Sequence, residues 1–342
     1  MKIAFIARST LLKQPGGDTQ QVTETARELE RLGVDVDIIL SGQRMRVSDY
    51  DLLHFFNLGR PADLLRYPNW KSKPTFVSTI WVDYGNGNQN EWLKAIARGL
   101  IGNDKLPPLN YILQGHEKSM AEVVDNADLF ITTTNLEVEK LKDSFSNAEP
   151  TYVVHPGLNR DFIETLPPEK EERSGILCVG RFESLKNQLA VIEATNGWDE
   201  PVTFVGNPAS NNPSYYRKCR AAAGPNHSFR PHASMHALQM LYRSHKLVVV
   251  PSHFETFGLT ALEALSQGCN LVLSKSTGAA EVLGTHARLF DSNNVDELSS
   301  AIKEQLEADS QTEGKKFARQ FSWEVAAKKL VELYQTRLSV NS

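Results

Sequence analysis

Glu255 and Glu263 are the residues whose type and spacing point most directly to chemistry. They lie eight positions apart in residues 248–274, VVVPSHFETFGLTALEALSQGCNLVLS. The pattern predicts a strand ending at Pro251, a loop that carries Glu255, and a helix that carries Glu263 and stops at Gly268. A carboxylate has two acceptor oxygens, which suit the paired hydroxyls of a ribose or a pyranose. The two side chains could therefore hold different parts of one extended ligand.

The residues between the two glutamates are suited to an anion. Thr256, Phe257, Gly258 and Leu259 offer backbone N–H groups at the expected start of the helix. A helix N-terminus favours negative charge because of its dipole, and Gly258 permits a close approach. A diphosphate between two hydroxyl-bearing rings would fit this arrangement.

A second cationic element precedes the glutamates in the stretch CVGRFESLKNQ. The pattern predicts a strand ending at Gly180, with Arg181 and Lys186 in the turn before the next helix. Arginine offers a planar fork of donors and lysine a mobile point charge. Together they could neutralise a leaving diphosphate without a metal ion, and no cofactor is expected.

The elements that must position these residues alternate between short apolar runs and helical segments. The first half contains KIAFIA, VDVDIIL, DLLHFF, TFVSTI and DLFITT, and the second contains GILCVG, VTFVG, KLVVVP and NLVLS. This alternation is typical of parallel sheets wrapped by helices, so we expect an α/β protein with two doubly wound, Rossmann-like domains. Ligands of such sheets lie beyond the carboxyl ends of the strands, in the loops described above.

A Pro-rich, charged stretch, TLPPEKEERSG, separates the two halves and is typical of a linker. We predict an N-terminal domain over residues 1–165 and a C-terminal domain over residues 166–321. In the tail, residues 322–342, apolar residues at near-helical spacing predict an amphipathic helix. Its apolar positions are Val325, Leu330, Leu333, Tyr334 and Leu338.

Composition excludes some classes of partner. The chain has 342 residues, 41% hydrophobic and 23% charged, with a formal net charge of −4. It lacks the basic excess typical of nucleic-acid-binding proteins, so no nucleic-acid partner is expected. The opening run, MKIAFIARST, is too short for a signal peptide or a membrane span, which indicates a cytoplasmic protein. Three separated cysteines indicate neither a disulfide framework nor a zinc site.

Two groups of residues invite a metal-binding interpretation that the sequence does not favour. Asp35-Val36-Asp37 lies where a helix gives way to a strand, which indicates a solvated strand start. His227, His232 and His236 include two histidines one helical turn apart, a spacing that metal ligands use. No metal site is predicted for either group.

Several segments, in the same order, resemble the retaining glycosyltransferases of family 4 (glycosyl transferases group 1), which have the two-domain GT-B fold with a cleft between the domains. The resemblance spans nearly the whole chain and rests on six segments. They are Gly16-Gly17, HPGLN at 155–159, VGRFESLKN at 179–187, PSHFETFGLTALEALSQG at 251–268, TGAAE at 277–281 and FSWEVAAKKLVELY at 321–334.

The resemblance implies a role for each candidate residue. Glu263 would hold the ribose of a UDP, GDP or similar nucleotide-sugar donor, and Glu255 would contact the donor sugar. Arg181 and Lys186 would bind the diphosphate. The two glycines of the first segment, Gly16 and Gly17, would approach the phosphate from the other domain. It also implies retention of anomeric configuration, no required metal, and a C-terminal helix that packs back on the N-terminal domain.

The chain departs from the family pattern at one place near the expected acceptor site. The family often has a histidine there, in a Thr-Ile-His-Asp pattern, whereas this chain reads Thr79-Ile80-Trp81-Val82-Asp83-Tyr84. Asp83 could take the role of the missing histidine by contacting a sugar hydroxyl or the acceptor. Alternatively, catalysis could depend on donor binding alone.

The acceptor is left open among glycans, lipid-linked sugars and small molecules. Trp81, Tyr84, Trp92 and Tyr111 could stack on an acceptor sugar or pack in the core. Basic residues in the N-terminal half could attract an anionic lipid surface and hold the protein weakly at the inner membrane surface. They are Arg44, Arg46, Arg60, Arg66, Lys71 and Lys73. Two other functions remain: a non-catalytic sugar-nucleotide or glycan-binding relative, and a nucleotide-sugar epimerase of the same fold.

Overall fold

The protein is described by a computed structural model that covers residues 1–81, 91–100, 104–164, 173–209, 212–309 and 312–339. The chain divides into two compact units. The first consists of Met1–Gly157 with Trp323–Ser342, and the second of Leu158–Ser322. The chain enters the second unit before the predicted boundary near residue 165, because Leu158 pairs with Ser322 and Phe162 is fully buried in the core of that unit.

The elements of the first unit alternate as the sequence pattern predicts. In chain order they are β1 (Lys2–Ala7), α1 (Gly17–Arg31), β2 (Asp35–Leu40), β3 (Leu52–Phe56), α2 (Ala62–Leu65), β4 (Thr75–Ser78), α3 (Glu91–Leu100), α4 (Leu109–Gln114), α5 (His116–Asn126), β5 (Leu129–Thr132), α6 (Asn135–Ser144) and β6 (Thr151–Val153).

The second unit repeats the alternation, and the last helix then returns to the first unit. The elements are α7 (Arg160–Glu164), β7 (Ile176–Val179), α8 (Gln188–Thr195), β8 (Val202–Val205), α9 (Pro213–Ala222), β9 (His227–Arg230), α10 (Met235–Ser244), β10 (Leu247–Val250), α11 (Leu259–Ser266), β11 (Asn270–Ser274), α12 (Gly278–Leu283), β12 (Arg288–Phe290), α13 (Val295–Glu307), α14 (Thr312–Ala318) and α15 (Trp323–Ser339).

Each unit is built on a parallel sheet that winds in both directions. The strand order is β2-β1-β3-β4-β5-β6 in the first unit and β12-β11-β10-β7-β8-β9 in the second. The direction of winding reverses between β1 and β3 and between β7 and β10. Such switch points are where open α/β sheets bind ligands, outside the carboxyl ends of the strands. The predicted class, α/β with two doubly wound Rossmann-like units, is confirmed.

Continuous apolar runs form the strands because helices cover both faces of each sheet. All four residues of β10, LVVV, are buried, as are the five residues of β3, LLHFF. The free thiols of Cys178, Cys219 and Cys269 are also buried. Burial raises the pKa of the Cys178 and Cys269 thiols to about 12, so both act as core residues.

Helix α15 packs in the first unit, where Tyr334 makes a buried polar contact. The Tyr334 hydroxyl lies 2.6 Å from Nδ1 of His54 in β3, and Nε2 of His54 lies 2.8 Å from Oγ of Ser78 in β4. The prediction that Val325 belongs to the apolar face is wrong, since 45% of Val325 is exposed. The buried face lies instead on the side of the helix that carries the adjacent residues Ala326 and Ala327. Its buried residues are Trp323, Ala326, Ala327, Leu330 and Tyr334.

Acid is expected to destabilise the first unit through His54. Burial lowers the pKa of His54 from 6.5 to about 3, so between these values the unfolded chain binds a proton that the folded chain excludes. The contribution to stability is complete above pH 6.5 and is lost as the pH falls towards 3. Near pH 5, about 1.5 units below the unfolded pKa, the expected loss is about 2 kcal/mol.

Urea unfolding at about pH 7 and about pH 5 measures this loss, with His54→Gln as a control that cannot titrate. The variant should be less stable near neutrality and should lose less stability in acid. Burial also lowers the pKa values of His227 and His245, which both proteins retain. Equal acid sensitivity of wild type and variant would therefore contradict the assignment to His54.

Candidate functional site

The loops after β7 and β10 meet at the switch point of the second sheet, where Lys186 and Glu255 form an ion pair. Nζ of Lys186 lies 3.0 Å from Oε1 of Glu255, and the Ser252 hydroxyl donates a 2.5 Å hydrogen bond to the same oxygen. The Lys186 side chain is 27% exposed and that of Glu255 is 14% exposed. The pair is thus shielded from bulk water but reachable by a ligand with anionic and hydroxyl groups.

Asn187, which the sequence interpretation missed, ties the two loops together. It precedes α8 in the left-handed conformation, with φ +53°. Its side-chain amide donates to the carbonyls of Pro251 (3.2 Å) and Ser292 (2.9 Å). The His253 N–H also donates to the Leu185 carbonyl at 2.9 Å. Asparagine tolerates this conformation better than most residues, which is a weak signal in the sequence.

Arg181 lies at the same strand end but does not join this ion pair in the structure. Its Nη2 lies 3.1 Å from Oε1 of Glu183, and 53% of its side chain is exposed. An exposed ion pair of this kind contributes little free energy. Arg181 could therefore exchange Glu183 for a phosphate at small cost.

The start of α11 depends on Gly258, which has φ +103°, a conformation that glycine adopts readily. A Cβ at this position would lie 3.4 Å from Oε2 of Glu255. Main-chain hydrogen bonds hold the preceding loop: the Gly278 N–H donates to the Glu255 carbonyl (2.9 Å) and the Ala279 N–H to the Phe257 carbonyl (2.5 Å). The segment after β11 therefore supports the loop that carries Glu255.

The residues around this glycine differ in what they can offer a ligand. Thr256 and Leu259 are partly exposed. Phe257 is only 3% exposed and packs in the core of the second unit. Its side chain cannot contact a ligand, so Phe257 could contribute only its backbone.

Glu263 is an almost buried carboxylate inside α11, with 7% exposure. The hydroxyl of Tyr242, from α10, donates a 2.9 Å hydrogen bond to its Oε2. Burial, together with the neighbouring Glu263, raises the pKa of Tyr242 well above its usual value, so the phenol stays a donor. The sequence interpretation missed Tyr242, because nothing local links it to α11.

Gly16 and Gly17 lie in the first unit at the start of α1. Gly16 is the extended residue before the helix, and its N–H donates to Oγ1 of Thr19 at 3.0 Å. Arg8, which follows β1, holds the loop by donating to both carboxylate oxygens of Asp18 (2.5 and 3.0 Å). Arg8 is a further residue missed from sequence; an arginine directly after the first strand was the available signal.

The residues predicted to contact the acceptor are either buried or outside the part of the chain that the structure describes. Asp83 and Tyr84 lie outside the described residues, as does the side chain of Trp92. Trp81 and Tyr111 are 3% and 2% exposed. The Tyr111 hydroxyl lies 2.9 Å from Nδ1 of His116. Because Trp81 and Tyr111 are both core residues, the interpretation that they stack on an acceptor sugar is wrong.

Three of the residues considered for metal binding have other partners. Asp35 and Asp37 lie 3.6 and 3.1 Å from Nζ of Lys2. His227 lies 2.9 Å from the Thr195 hydroxyl through Nε2. Over the part of the chain that the structure describes, no three His, Cys, Asp or Glu residues are grouped to hold a metal ion.

The basic residues considered for a lipid surface are partly engaged within the first unit. Arg60 contacts Asp63 and Asp104, and Lys71 lies 2.8 Å from Glu122. Arg66 donates to the Ser41 hydroxyl. Among the described helices, none has the length and apolar character needed to span a membrane.

Comparison with known proteins identifies the class of enzyme. Residues 159–322 match the family model of Glycosyl transferases group 1. The chain is a glycosyltransferase with a group 1 domain over these residues. It is similar to a D-inositol 3-phosphate glycosyltransferase of Corynebacterium aurimucosum, with 24% identity over 99% of this chain and 97% of that protein. It is also similar to O-antigen chain mannosyltransferase B of Escherichia coli, with 25% identity over 64% of this chain and 63% of that protein.

Solved structures with the same fold align with nearly the whole chain. Sucrose-phosphate synthase from Thermosynechococcus elongatus has a TM-score of 0.79 at 17% identity, covering 99% of this chain and 100% of that one. Anabaena HepE in complex with UDP and glucose has a TM-score of 0.73 at 15% identity, covering 98% and 100%. The GT-B fold class inferred from the resemblance is confirmed.

Proposed function

We propose that this glycosyltransferase transfers a sugar from a nucleotide-diphosphate sugar, held mainly by the second unit, to an acceptor on the side of the first unit. The proposal depends on the pair of Lys186 and Glu255 at the switch point of the second sheet. The pair combines a cation suited to a diphosphate with a carboxylate suited to sugar hydroxyls. The complexes of HepE with UDP and UDP-glucose support this class of donor, so UDP-sugars are tested first and GDP-sugars second.

The proposed mechanism is a same-face displacement with retention, as in family 4. The bond between the anomeric carbon and the diphosphate oxygen breaks while the acceptor oxygen bonds to that carbon from the same face and passes its proton to the departing phosphate oxygen. Lys186 and Arg181 stabilise the negative charge that develops on the leaving diphosphate. Glu255 accepts hydrogen bonds from the donor sugar and Glu263 from the ribose. Because these side chains supply the charge, turnover is expected to continue in excess chelator.

Backbone N–H groups complete the proposed donor site. Those at the start of α11, from Thr256 to Leu259, face the diphosphate, since a helix N-terminus favours an anion. Gly16 and Gly17 approach the phosphate in this proposal: a Cβ at Gly17 would meet nothing within 4 Å, whereas one at Gly16 would lie 3.1 Å from Oδ1 of Asp18. Asp83 takes the place of the family histidine in this proposal.

The proposed acceptor is a glycan, a lipid-linked sugar or a small molecule. Relatives named for D-inositol 3-phosphate and for an O-antigen chain support this range. We propose that the enzyme acts in the cytoplasm, with weak attachment to the inner membrane surface if the acceptor is lipid-linked.

Thermal unfolding with a panel of nucleotide sugars tests the proposal, because a ligand that binds only the folded state must stabilise it. At about 100 times Kd the stabilisation is about 2.7 kcal/mol, which raises Tm by several degrees. The shift should appear for one donor class and be lost in Glu263→Ala and Arg181→Ala. Arg288→Ala, which removes an exposed ion pair with Glu304, is the matched control.

Three other outcomes would count against the proposal. Absence of a shift with every donor would favour a non-catalytic relative. An altered nucleotide sugar formed without added acceptor would favour an epimerase. Loss of turnover in chelator, restored by a divalent metal, would contradict the metal-independent mechanism.

A further inference from the structure

Glu137 is a fully buried carboxylate in the first unit that the proposed donor site does not use. It lies in the first turn of α6, and its side chain crosses to the end of the neighbouring strand β4. Oε1 accepts hydrogen bonds from the Thr79 hydroxyl (2.6 Å) and the Trp81 N–H (2.7 Å). Oε2 accepts from the N–H (2.7 Å) and the hydroxyl (2.8 Å) of Thr133. One side chain thus joins the carboxyl ends of β4 and β5.

The four donors require a carboxylate at this position. Each oxygen accepts one backbone N–H, from Trp81 or from Thr133, and a backbone N–H cannot reverse its role. A glutamine of the same size would turn its NH₂ group towards one of these N–H groups and leave that N–H without its acceptor. Burial raises the pKa of Glu137, and the four hydrogen bonds oppose that rise. A buried donor left unpaired is costly, so the site discriminates strongly between Glu and Gln.

The turn that Glu137 holds is a strained one. Ile80, between Thr79 and Trp81, has φ +40°, in the left-handed region that a β-branched residue avoids. Both neighbours of Ile80 bind the same oxygen, Oε1, so the carboxylate bridges the strained residue. Such strain persists only where the surroundings overdetermine the backbone, and it clusters at functional sites.

We propose that Glu137 is a positioning residue for glycosyl transfer: its carboxylate fixes the Thr79–Trp81 turn and thereby the surface that the first unit presents to the acceptor. The inference rests on the proposed function, which puts the acceptor on this unit. The turn lies at the carboxyl edge of the sheet, where open α/β sheets bind ligands. Glu137 itself is completely buried and acts only through the backbone that it holds.

Glu137→Gln tests the proposal, because it keeps the size of the side chain and removes one acceptor oxygen. We expect kcat/KM for the acceptor to fall about 10- to 100-fold, as for a misplacement on the order of 1 Å. The Kd of the nucleotide sugar should stay within about twofold, since that ligand is bound by the second unit. Adding Ile80→Gly should restore part of the lost activity, because glycine adopts positive φ without penalty.

Glu28→Gln is the matched control, since Glu28 is a buried glutamate of the same unit, paired with Arg31 in the last turn of α1. It should leave kcat/KM unchanged. Full activity of Glu137→Gln would overturn the positioning role. A loss of Tm and activity that Ile80→Gly does not relieve would also overturn it, by indicating a purely structural role. A wild-type chain that binds no nucleotide sugar would overturn the proposed function and, with it, this inference.

Discussion

Lys186→Ala is expected to lower kcat about 100- to 1000-fold, the usual effect of removing one preorganised group that stabilises developing negative charge. The proposed function assigns that charge to the leaving diphosphate. Lys186 is held for this role by Glu255 at 3.0 Å and by the adjacent Asn187, which anchors the loop to Pro251 and Ser292. The alanine variant also leaves the Glu255 carboxylate without its cation in a partly buried site, which should further disfavour an anionic donor.

Steady-state kinetics at saturating donor measures the effect on kcat separately from any loss of donor affinity. Lys186→Arg keeps the charge but changes its shape, so its loss should be smaller than that of the alanine variant. Lys316→Ala is the matched control: its ion pair with Glu313, at 2.9 Å, lies on the exposed surface of the same unit. An alanine variant with wild-type kcat would contradict a role for Lys186 in departure of the diphosphate.

Glu263→Ala is expected to weaken the binding of the preferred nucleoside diphosphate about 10- to 100-fold, the value of a hydrogen bond to a charged group. If Glu263 holds the ribose, the affinity falls because the ribose hydroxyls lose their acceptor. The 2′,3′-dideoxy nucleotide should therefore bind wild type and Glu263→Ala with similar affinity. Calorimetric Kd values for both nucleotides and both proteins form a double-mutant cycle that isolates this contact.

Tyr242→Phe controls for the neighbour that the structure places on Glu263. It removes the 2.9 Å hydrogen bond to Oε2 while retaining the carboxylate. We expect a loss of stability on the order of 1 kcal/mol, with a smaller loss of affinity than in Glu263→Ala. Equal losses for the natural and dideoxy nucleotides would show that Glu263 does not contact the ribose.

Features of the fold and of the site that depend on neighbouring residues could be predicted from the sequence. Features that depend on contacts between distant parts of the chain could not. Strands such as LVVV of β10 were predictable because burial on both faces requires a continuous apolar run. The loop around Gly258 was also predictable, since its glycine and the apolar pattern of α11 lie within a few residues of each other. The assignment of Val325 to the buried face of α15 failed, because near-helical spacing did not show which side of the helix would meet the sheet.

The pattern of residue types along the sequence was enough to indicate two parallel sheets and the loops at their carboxyl ends. It also indicated Lys186 and Glu255 as candidate residues. The partners of the buried polar groups were decided only in the folded protein. Tyr242 meets Glu263, Thr79 meets Glu137 across 58 positions, and Tyr334 meets His54 across 280 positions. The packing of helices against one another and against the sheets brings these groups together, and hydrogen bonds require agreement to within a fraction of an ångström. No pattern confined to one helix or strand contains that information.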